Sequence, residues 1–360
     1  MKKHYYWLDL LRFLAAFMVL LSHVRAAVFV EYGLLNTENK NIFSLFFYSI
    51  FRLGHEAVLV FFVMSGFLVG GKALERTMQG SFNIKGYFID RLFRIMPPLV
   101  GTLLLIIAVN SVVGNEISCL VILGNLFSLQ GIFIGPAIGP LWSLSYEVWF
   151  YILFGVICGY FTTLNRKHNF ILLSIFIVSL LVFVKLNYIY LFVWLIGAFI
   201  YFIKPTHQRN IFKYLLGLII LLTLFGLQLT SESRSINLGS ISSLLKREVL
   251  EIVFAVSFSL FMIQIITVKP TKKFAIFFEN FGAKLAKFSY SLYLSHAVFI
   301  NLFEFLFIKE QKQLTISSLL LFGFNIIFCL LGCYLMYILF EKNTDKLKGL
   351  FKSNLKFFSS

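Results

Sequence analysis

Long apolar segments recur along the whole of this 360-residue chain. A segment of about 20 predominantly apolar residues is long enough to cross a bilayer as a helix. Such segments lie at about 8–30, 42–70, 92–114, 142–163, 169–184, 187–203, 211–230, 248–268, 286–308 and 315–340. Because a spanning segment must satisfy its backbone hydrogen bonds internally, we predict an all-α fold, a polytopic bundle of about ten transmembrane helices.

The composition supports this class and excludes a soluble enzyme. The chain is 59% hydrophobic and only 13% charged, whereas a soluble domain carries about 25% charged residues. No polar linker divides the apolar segments. We therefore predict a single transmembrane domain at 1–345, followed by a short basic cytoplasmic tail at 346–360.

The net charge of +16 is explained by membrane topology. With a cytoplasmic N-terminus, the larger share of lysines and arginines falls on the cytoplasmic side, as the positive-inside rule requires. Both termini are then cytoplasmic, and no nucleic-acid partner is needed. The loop at 115–140 contains no lysine or arginine and is predicted to be external. The cysteines form no CxxC pair, so no metal site is predicted.

The first apolar segment carries three ionisable residues, Asp9, Arg12 and His23. Such groups are expensive inside a bilayer and often mark function. Arg12 and His23 are eleven residues apart, which places them within about 20° of one another on a helix, with Asp9 nearly on the same face. This stripe predicts the wall of a polar passage. The alternative, a packed histidine beside a structural Asp9–Arg12 pair, has equal weight on these grounds.

Two arginines, Arg91 and Arg94, lie at the predicted cytoplasmic end of the third span. Their i, i+3 spacing puts them on one helix face, where two guanidinium groups suit a phosphate or pyrophosphate. Ordinary positive-inside charge or lipid binding also explains them, and on spacing alone that explanation is favoured. Pro97 and Pro98 are expected to bend or unwind the helix that follows.

The fourth span begins in "GPLWSLSYEVWFY", which places Glu147 about one turn into an apolar helix. Its predicted depth in the outer half of the membrane matches that of His23. A histidine and a carboxylate at one depth suit an acid–base pair or a base with its orienting partner. The alternative is an interfacial carboxylate within an aromatic belt.

Four further polar residues are weaker candidates. Ser65 in "FFVMSGFL" and His296 in "SYSLYLSH" fall inside apolar helices, and a packing role is favoured for each when taken alone. His55 and Glu56 stand at the predicted outer mouth of the second span. They are interpreted most simply as an exposed interfacial pair.

Five segments together, in this order, resemble the acyltransferase 3 family of bacterial integral-membrane O-acyltransferases. They are "LDLLRFLAAFMVLLSH", "FFVMSGFL", "RLFRIMPP", "LWSLSYEVWFY" and "SYSLYLSH", and they span residues 8 to about 300. Each segment is weak evidence alone, whereas five in order are specific. The chain resembles the stand-alone type, without a C-terminal esterase-like domain.

The resemblance implies roles for individual residues. It implies that His23 is catalytic, that Arg12 is essential, and that Glu147 matches the important acidic residue of the family. Asp9 joins this catalytic set. It also implies that Arg91 and Arg94 contact the phosphates of coenzyme A. The remaining candidates for donor binding are Ser65 and His296.

The resulting hypothesis is a membrane O-acyltransferase. It would move an acyl group, expected to be acetyl, from cytoplasmic acyl-CoA to a hydroxyl of a cell-envelope or exported polysaccharide or glycolipid. The predicted partners are acyl-CoA, a glycan or glycolipid acceptor and membrane lipids, and self-association into a homo-oligomer is compatible with this view. The predicted location is the bacterial cytoplasmic membrane. The alternative function is a glycan or lipid transporter with an intramembrane polar pathway.

Overall fold

The computed structural model describes residues 5–163, 166–204, 210–229 and 246–357. Within these ranges every regular element is helical, and extended pairing occurs only as isolated bridges. The prediction of an all-α fold is confirmed.

Fifteen α-helices are numbered here in chain order within the described ranges. They are α1 Leu8–Val28, α2 Ile42–Ile50, α3 Gly54–Ser65, α4 Lys72–Met78, α5 Ile84–Val113, α6 Cys119–Leu126, α7 Trp142–Thr162, α8 Arg166–Lys185, α9 Tyr188–Ile200, α10 Asn210–Leu229, α11 Arg247–Ile266, α12 Lys273–Leu285, α13 Ser289–Phe307, α14 Ile316–Met336 and α15 Thr344–Phe357. Two π-helical segments, Gly66–Gly71 and Tyr337–Glu341, follow α3 and α14.

Nine helices or helical runs in the described part of the chain are long and apolar enough to cross a membrane. They are Leu8–Val28, Ile42–Met78, Ile84–Val113, Gly139–Thr162, Arg166–Lys185, Ile211–Gln228, Arg247–Ile266, Lys273–Phe307 and Ile316–Phe351. The predicted sixth span is helix α9, which has 13 residues and a length of about 20 Å, too short to cross the hydrocarbon core upright. The predicted polytopic helical bundle is confirmed.

Helix α5 begins eight residues before the predicted third span. Asn83 caps it by accepting a hydrogen bond from the Gly86 backbone N–H. The helix then continues without a break to Val113, through Pro97 and Pro98. The expected unwinding at these prolines does not occur, and the arginines at 91 and 94 lie about 10 and 15 Å from the start of the helix.

The loop at 115–140 is ordered by a buried asparagine. The Asn125 side-chain amide donates to the carbonyls of Val121 and Gly135, at 2.8 and 3.1 Å, and its oxygen accepts from the Ala137 N–H at 3.0 Å. The loop includes helix α6 and leads into α7 through a short 3₁₀ turn, Gly139–Leu141. One asparagine therefore fixes the approach to the helix that carries Glu147.

The described residues form two compact units. Unit 1 contains those of Met1–Gly71, Ile189–Ser289 and Phe303–Phe328, and unit 2 contains those of Lys72–Tyr188, Tyr290–Leu302 and Cys329–Ser360. The single domain expected at 1–345 stays a prediction. The expected tail forms most of helix α15 up to residue 357, and 358–360 lie outside the described residues.

In unit 1, helix α1 packs against α3 and α12, and α11 packs against α3 and α10. Helix α9 approaches the segment at the end of α3 so closely that there is no room for a side chain. A Cβ atom at Gly66 would overlap the Trp194 carbonyl, and a Cβ at Gly197 would overlap the Val63 carbonyl. Two glycines thus allow direct backbone contact, as small residues do between membrane helices.

In unit 2, helix α7 packs against α4, α5 and α8. Helix α5 packs in turn against α15 and against the π-helical segment Tyr337–Glu341, where Gly101 leaves room for the Phe340 ring. The Tyr87 hydroxyl donates to the Tyr151 carbonyl at 3.2 Å and ties α5 to α7. These contacts set the positions of the polar side chains described next.

Candidate functional site

The three ionisable residues of α1 lie along one stripe, as predicted, but only two of them touch. Arg12 Nη1 is 3.3 Å from Asp9 Oδ1, and both side chains are partly exposed. Between this pair and His23 the stripe is formed by small buried residues, Ala15 and Ala16. His23 is about 16 Å further along the helix axis than Arg12. The stripe therefore carries two separate polar groups, the Asp9–Arg12 pair and His23.

His23 is held in one orientation by its own helix. Its Nδ1 lies 2.9 Å from the Val19 carbonyl oxygen. A carbonyl can only accept, so Nδ1 carries the proton and Nε2 is the basic nitrogen of the neutral ring. The ring is partly buried. This tautomer suits a general base that acts through Nε2.

The two arginines of α5 lie on tyrosine rings in unit 2. The Arg91 guanidinium carbon is 5.6 Å from the centroid of the Tyr151 ring, and that of Arg94 is 5.2 Å from the centroid of Tyr290. Stacking on an aromatic face leaves the planar N–H fork of arginine able to bind an anion. The predicted pair thus becomes a pair of aromatic-backed cations.

Two buried donors in this region have no hydrogen-bond partner among the described residues. They are Arg91 Nε and the Tyr290 hydroxyl. A buried donor without an acceptor is unfavourable by about 1–3 kcal/mol. An oxygen-rich ligand at this place would supply the missing acceptors.

Glu147 belongs to the same region. It accepts a hydrogen bond from the Tyr151 hydroxyl one turn along α7, and the Tyr151 ring lies under Arg91. Tyr290 is within electrostatic range of both Glu147 and Arg94. We call these five side chains the arginine–tyrosine cluster: Arg91, Arg94, Glu147, Tyr151 and Tyr290.

A buried carboxylate at the end of the π-helical segment Tyr337–Glu341 braces this cluster. Glu341 Oε1 is 3.2 Å from Arg94 Nη1, and Oε2 accepts from the N–H and the hydroxyl of Ser291 at 3.0 and 2.7 Å. Glu341 is only 4% exposed, so it must be paired to stay charged. It neutralises much of the charge of Arg94 and leaves Arg91 as the stronger anion ligand.

Ser65 and His296 make contacts typical of packing residues. The Trp194 indole N–H donates to Ser65 Oγ at 3.2 Å within unit 1. His296 is fully buried, and its Nδ1 donates to the carbonyls of Leu292 and Tyr293 at 3.0 and 2.8 Å within unit 2. A donor-binding role for either residue stays a prediction.

In the described ranges, no group of three or more His, Cys, Asp or Glu side chains is arranged to hold a metal ion.

A sequence profile of the acyltransferase domain family matches residues 5–338 of the chain. The match covers nearly the whole length and includes every predicted site residue. The chain belongs to the acyltransferase 3 family. No curated protein and no solved structure matched it in the other two comparisons. The protein is therefore a multi-pass membrane acyltransferase, and the resemblance found in its motifs is confirmed.

The predicted site residues of this acyltransferase divide between its two units. Unit 1 holds Asp9, Arg12, His23 and Ser65, whereas unit 2 holds Arg91, Arg94, Glu147 and His296. The carboxylate of Glu147 was expected at the depth of His23, as its partner. Within unit 2 it accepts a hydrogen bond from Tyr151, beside Arg91, and its pairing with His23 stays a prediction.

Sequence reasoning missed the ion pairs that join distant parts of the acyltransferase. At the C-terminal end of α1, Glu31 pairs with Arg25 at 3.0 Å and with Arg52 at 3.5 Å. In the same unit, His55 Nε2 is 2.9 Å from Glu251 Oε1. The alternative of an exposed interfacial pair does not fit Glu56, which is 5% exposed.

Proposed function

We propose that this acyltransferase moves an acyl group, expected to be acetyl, from acyl-CoA to a hydroxyl of a cell-envelope or exported glycan or glycolipid. It would act in the bacterial cytoplasmic membrane with both termini in the cytoplasm. The observation that carries the donor side of the proposal is the arginine–tyrosine cluster. It combines two aromatic-backed guanidinium groups with two buried donors that lack acceptors among the described residues.

Coenzyme A fits this cluster by its phosphate groups. Phosphate oxygens accept several charge-assisted hydrogen bonds and pair well with guanidinium forks. Arg91 Nε and the Tyr290 hydroxyl would find acceptors there. Tyr151, held by Glu147, keeps the Arg91 side chain in place. In this role Glu147 is a positioning residue that acts through Tyr151.

His23 is the proposed general base. Its Nε2 takes the proton of the acceptor hydroxyl, and the hydroxyl oxygen forms a bond to the carbonyl carbon of the thioester. The carbon–sulfur bond then breaks, and the thiolate of coenzyme A takes the proton from the imidazolium. The products are an ester and free coenzyme A. The Val19 carbonyl, which fixes the tautomer, stabilises the charged ring in this step.

Asp9 and Arg12 are proposed to support the reaction from the same stripe of α1. Arg12 is the positive end of the pair and Asp9 restrains it at 3.3 Å. A partly exposed arginine in a membrane helix can attract an anionic donor. Asp9 then acts by orienting Arg12.

The test uses the purified full-length protein in detergent with radiolabelled acetyl-CoA and a panel of bacterial polysaccharides and glycolipids. We expect equal amounts of free coenzyme A thiol and of label transferred to the acceptor, with ester formation verified by mass spectrometry. The proposal fails if no thiol is released with any acceptor. It also fails if the protein in liposomes moves an intact glycan across the bilayer without acyl transfer, which is the outcome a transporter would give.

A further inference from the structure

A polar cluster that the proposed reaction does not use lies in unit 1, where the first turns of α3 and α11 meet. His55 Nε2 is 2.9 Å from Glu251 Oε1, and Arg247 Nε donates to the same oxygen at 3.1 Å. Glu251 is almost completely buried, whereas the His55 and Arg247 side chains are 25% and 36% exposed. A buried carboxylate therefore holds two polar side chains that still reach the surface.

The neighbouring Glu56 lacks a partner that it needs. It is 5% exposed, and its Oε2 is buried without a hydrogen-bond donor among the described residues. It follows His55 on α3, and its charge interacts with those of His55, Arg247 and Glu251. Buried carboxylate oxygens in folded proteins are normally satisfied. A ligand with an O–H group would supply the missing donor.

The charges around the cluster favour a neutral ligand. In this described region, three arginines balance three glutamates: Arg25, Arg52, Arg247, Glu31, Glu56 and Glu251. A neutral ligand leaves this balance unchanged. A hydroxyl group can donate to a carboxylate and accept from a guanidinium at the same time.

An aromatic ring completes the cluster. The Tyr190 ring centroid is 5.9 Å from that of His55, and the Tyr190 ring also contacts Phe62. Carboxylates, an arginine and a flat aromatic face together suit a molecule that has many hydroxyls and an apolar ring face. This is the chemistry of a sugar.

The helix that carries His55 packs against the helix that carries the proposed base. Gly54 packs against Ser22 so closely that a Cβ atom on Gly54 would come within 2.8 Å of Ser22 Cβ. His55 and His23 are the residues that follow this contact on α3 and α1. The cluster and His23 are therefore carried by packed helices of the same unit.

From this geometry we infer that His55, Glu56, Arg247, Glu251 and Tyr190 form a subsite for a neutral sugar of the acceptor, called here the acceptor subsite. The inference rests on the proposed function, and it assigns residues that determine which acceptor is used. Glu56 and Glu251 accept hydrogen bonds from sugar hydroxyls. Arg247 donates to sugar oxygens, and Tyr190 packs against the ring face.

The test measures binding without any acyl donor. A panel of neutral oligosaccharides built from glucose, galactose and N-acetylglucosamine is titrated into the purified full-length protein in detergent, and the tightest binder becomes the probe. We expect Glu56→Gln and Tyr190→Ala to weaken its binding about tenfold or more, because the first loses the charge and one acceptor oxygen and the second loses the aromatic face. Glu251→Gln should weaken it at least as much.

The matched control is Glu248→Gln, the same chemical change at an exposed position of α11, which should bind the probe like the wild type. Gel filtration and thermal melting check folding, and if Glu251→Gln does not fold, the other two variants decide. The inference is overturned if the wild type binds no oligosaccharide of the panel, or if Glu56→Gln binds the probe with unchanged affinity. Wild-type binding without acyl transfer would instead refute the proposed function and leave the acceptor subsite in place.

Discussion

The two units of this acyltransferase handle charge in opposite ways. In unit 1 most of the ionic side chains on and near α1, α3 and α11 are paired, with Glu56 as the exception: Arg12 has Asp9, Arg25 and Arg52 share Glu31, and His55 and Arg247 share Glu251. In unit 2, Arg94 has Glu341, whereas Arg91 has a tyrosine ring and no carboxylate within ion-pair distance in the described part of the chain. Unit 1 is thus close to electrically neutral at its polar points, and unit 2 retains a free positive charge.

This difference suits the two units to different ligands. A balanced set of charges discriminates by hydrogen-bond geometry and suits a neutral, hydroxyl-rich molecule. An unbalanced guanidinium group attracts anions and pairs with phosphate. Under the proposed function, the acceptor and the base belong to unit 1 and the donor phosphates to unit 2, and four experiments test this assignment.

The largest effect is expected from removing the base. His23→Ala should lower kcat by about 10²–10⁴-fold, the range typical for loss of a general base. Binding of acyl-CoA should be unchanged, since the change is in unit 1. Transfer rates and donor affinity are measured on the purified variant. The matched control is His168→Ala, which alters an exposed histidine of α8. Retention of wild-type activity by His23→Ala would remove the base from the mechanism.

The next effect concerns the unmatched arginine. Arg91→Ala should raise the KM for acyl-CoA about ten- to a hundredfold, because a charge-assisted hydrogen bond is worth about 1.5–3 kcal/mol. The KM of Arg91→Lys for acyl-CoA should lie between those of the wild type and Arg91→Ala, since lysine keeps the charge but loses the planar guanidinium group. The KM for acyl-CoA is measured by steady-state kinetics at a fixed acceptor concentration. Arg166→Ala, at an exposed position of α8, serves as the control. A shift in acceptor KM with donor KM unaltered would reverse the assignment of the units.

A smaller effect should distinguish Arg94 from Arg91. Arg94→Ala removes the ion pair of the buried Glu341 carboxylate, so stability should fall by about 1–3 kcal/mol. Adding Glu341→Gln removes the buried charge and should recover part of that loss. Thermal melting of the single and double variants in detergent provides the comparison. Equal stabilities of the Arg94→Ala single variant and the wild type would show that the pair does not brace the cluster.

The smallest effect is that of salt. Raising the ionic strength from about 0.05 to 0.5 M shortens the screening length severalfold. The KM for acyl-CoA should therefore rise by about two- to fivefold, while the KM for a neutral acceptor should stay within about twofold. Both constants are measured in the same buffer series. If the KM values for acyl-CoA and for the acceptor rose by the same factor with ionic strength, the proposed difference between the units would be contradicted.

Much of the fold could be predicted from the sequence because membrane spans are a property of local composition. The start of α5 was missed because Lys85, Asp90 and Arg91 dilute its apolar window, although Asn83 is a helix-capping residue that could have shown it. The continuity through Pro97 and Pro98 depends on the helices packed against α5. Neighbours of this kind are not visible in a local sequence pattern.

The candidate site could be predicted one element at a time. The stripe of α1 and the shared face of Arg91 and Arg94 follow from helix periodicity. The Glu147–Tyr151 bond was also readable, because residues four apart on a helix are neighbours. Glu341 and Glu251 could not be found in this way, since their partners Ser291 and His55 are 50 and 196 residues away in sequence. Only the folded chain identifies them.

The close contact between α9 and the end of α3 depends on two residues that have no side chain. Gly66 and Gly197 let two backbones meet where a single methyl group would overlap a carbonyl. Alanine is more apolar than glycine and a better helix former. At either position it would therefore be expected to stabilise an isolated membrane helix. In the folded protein, however, the added methyl group of alanine would force the two helices apart.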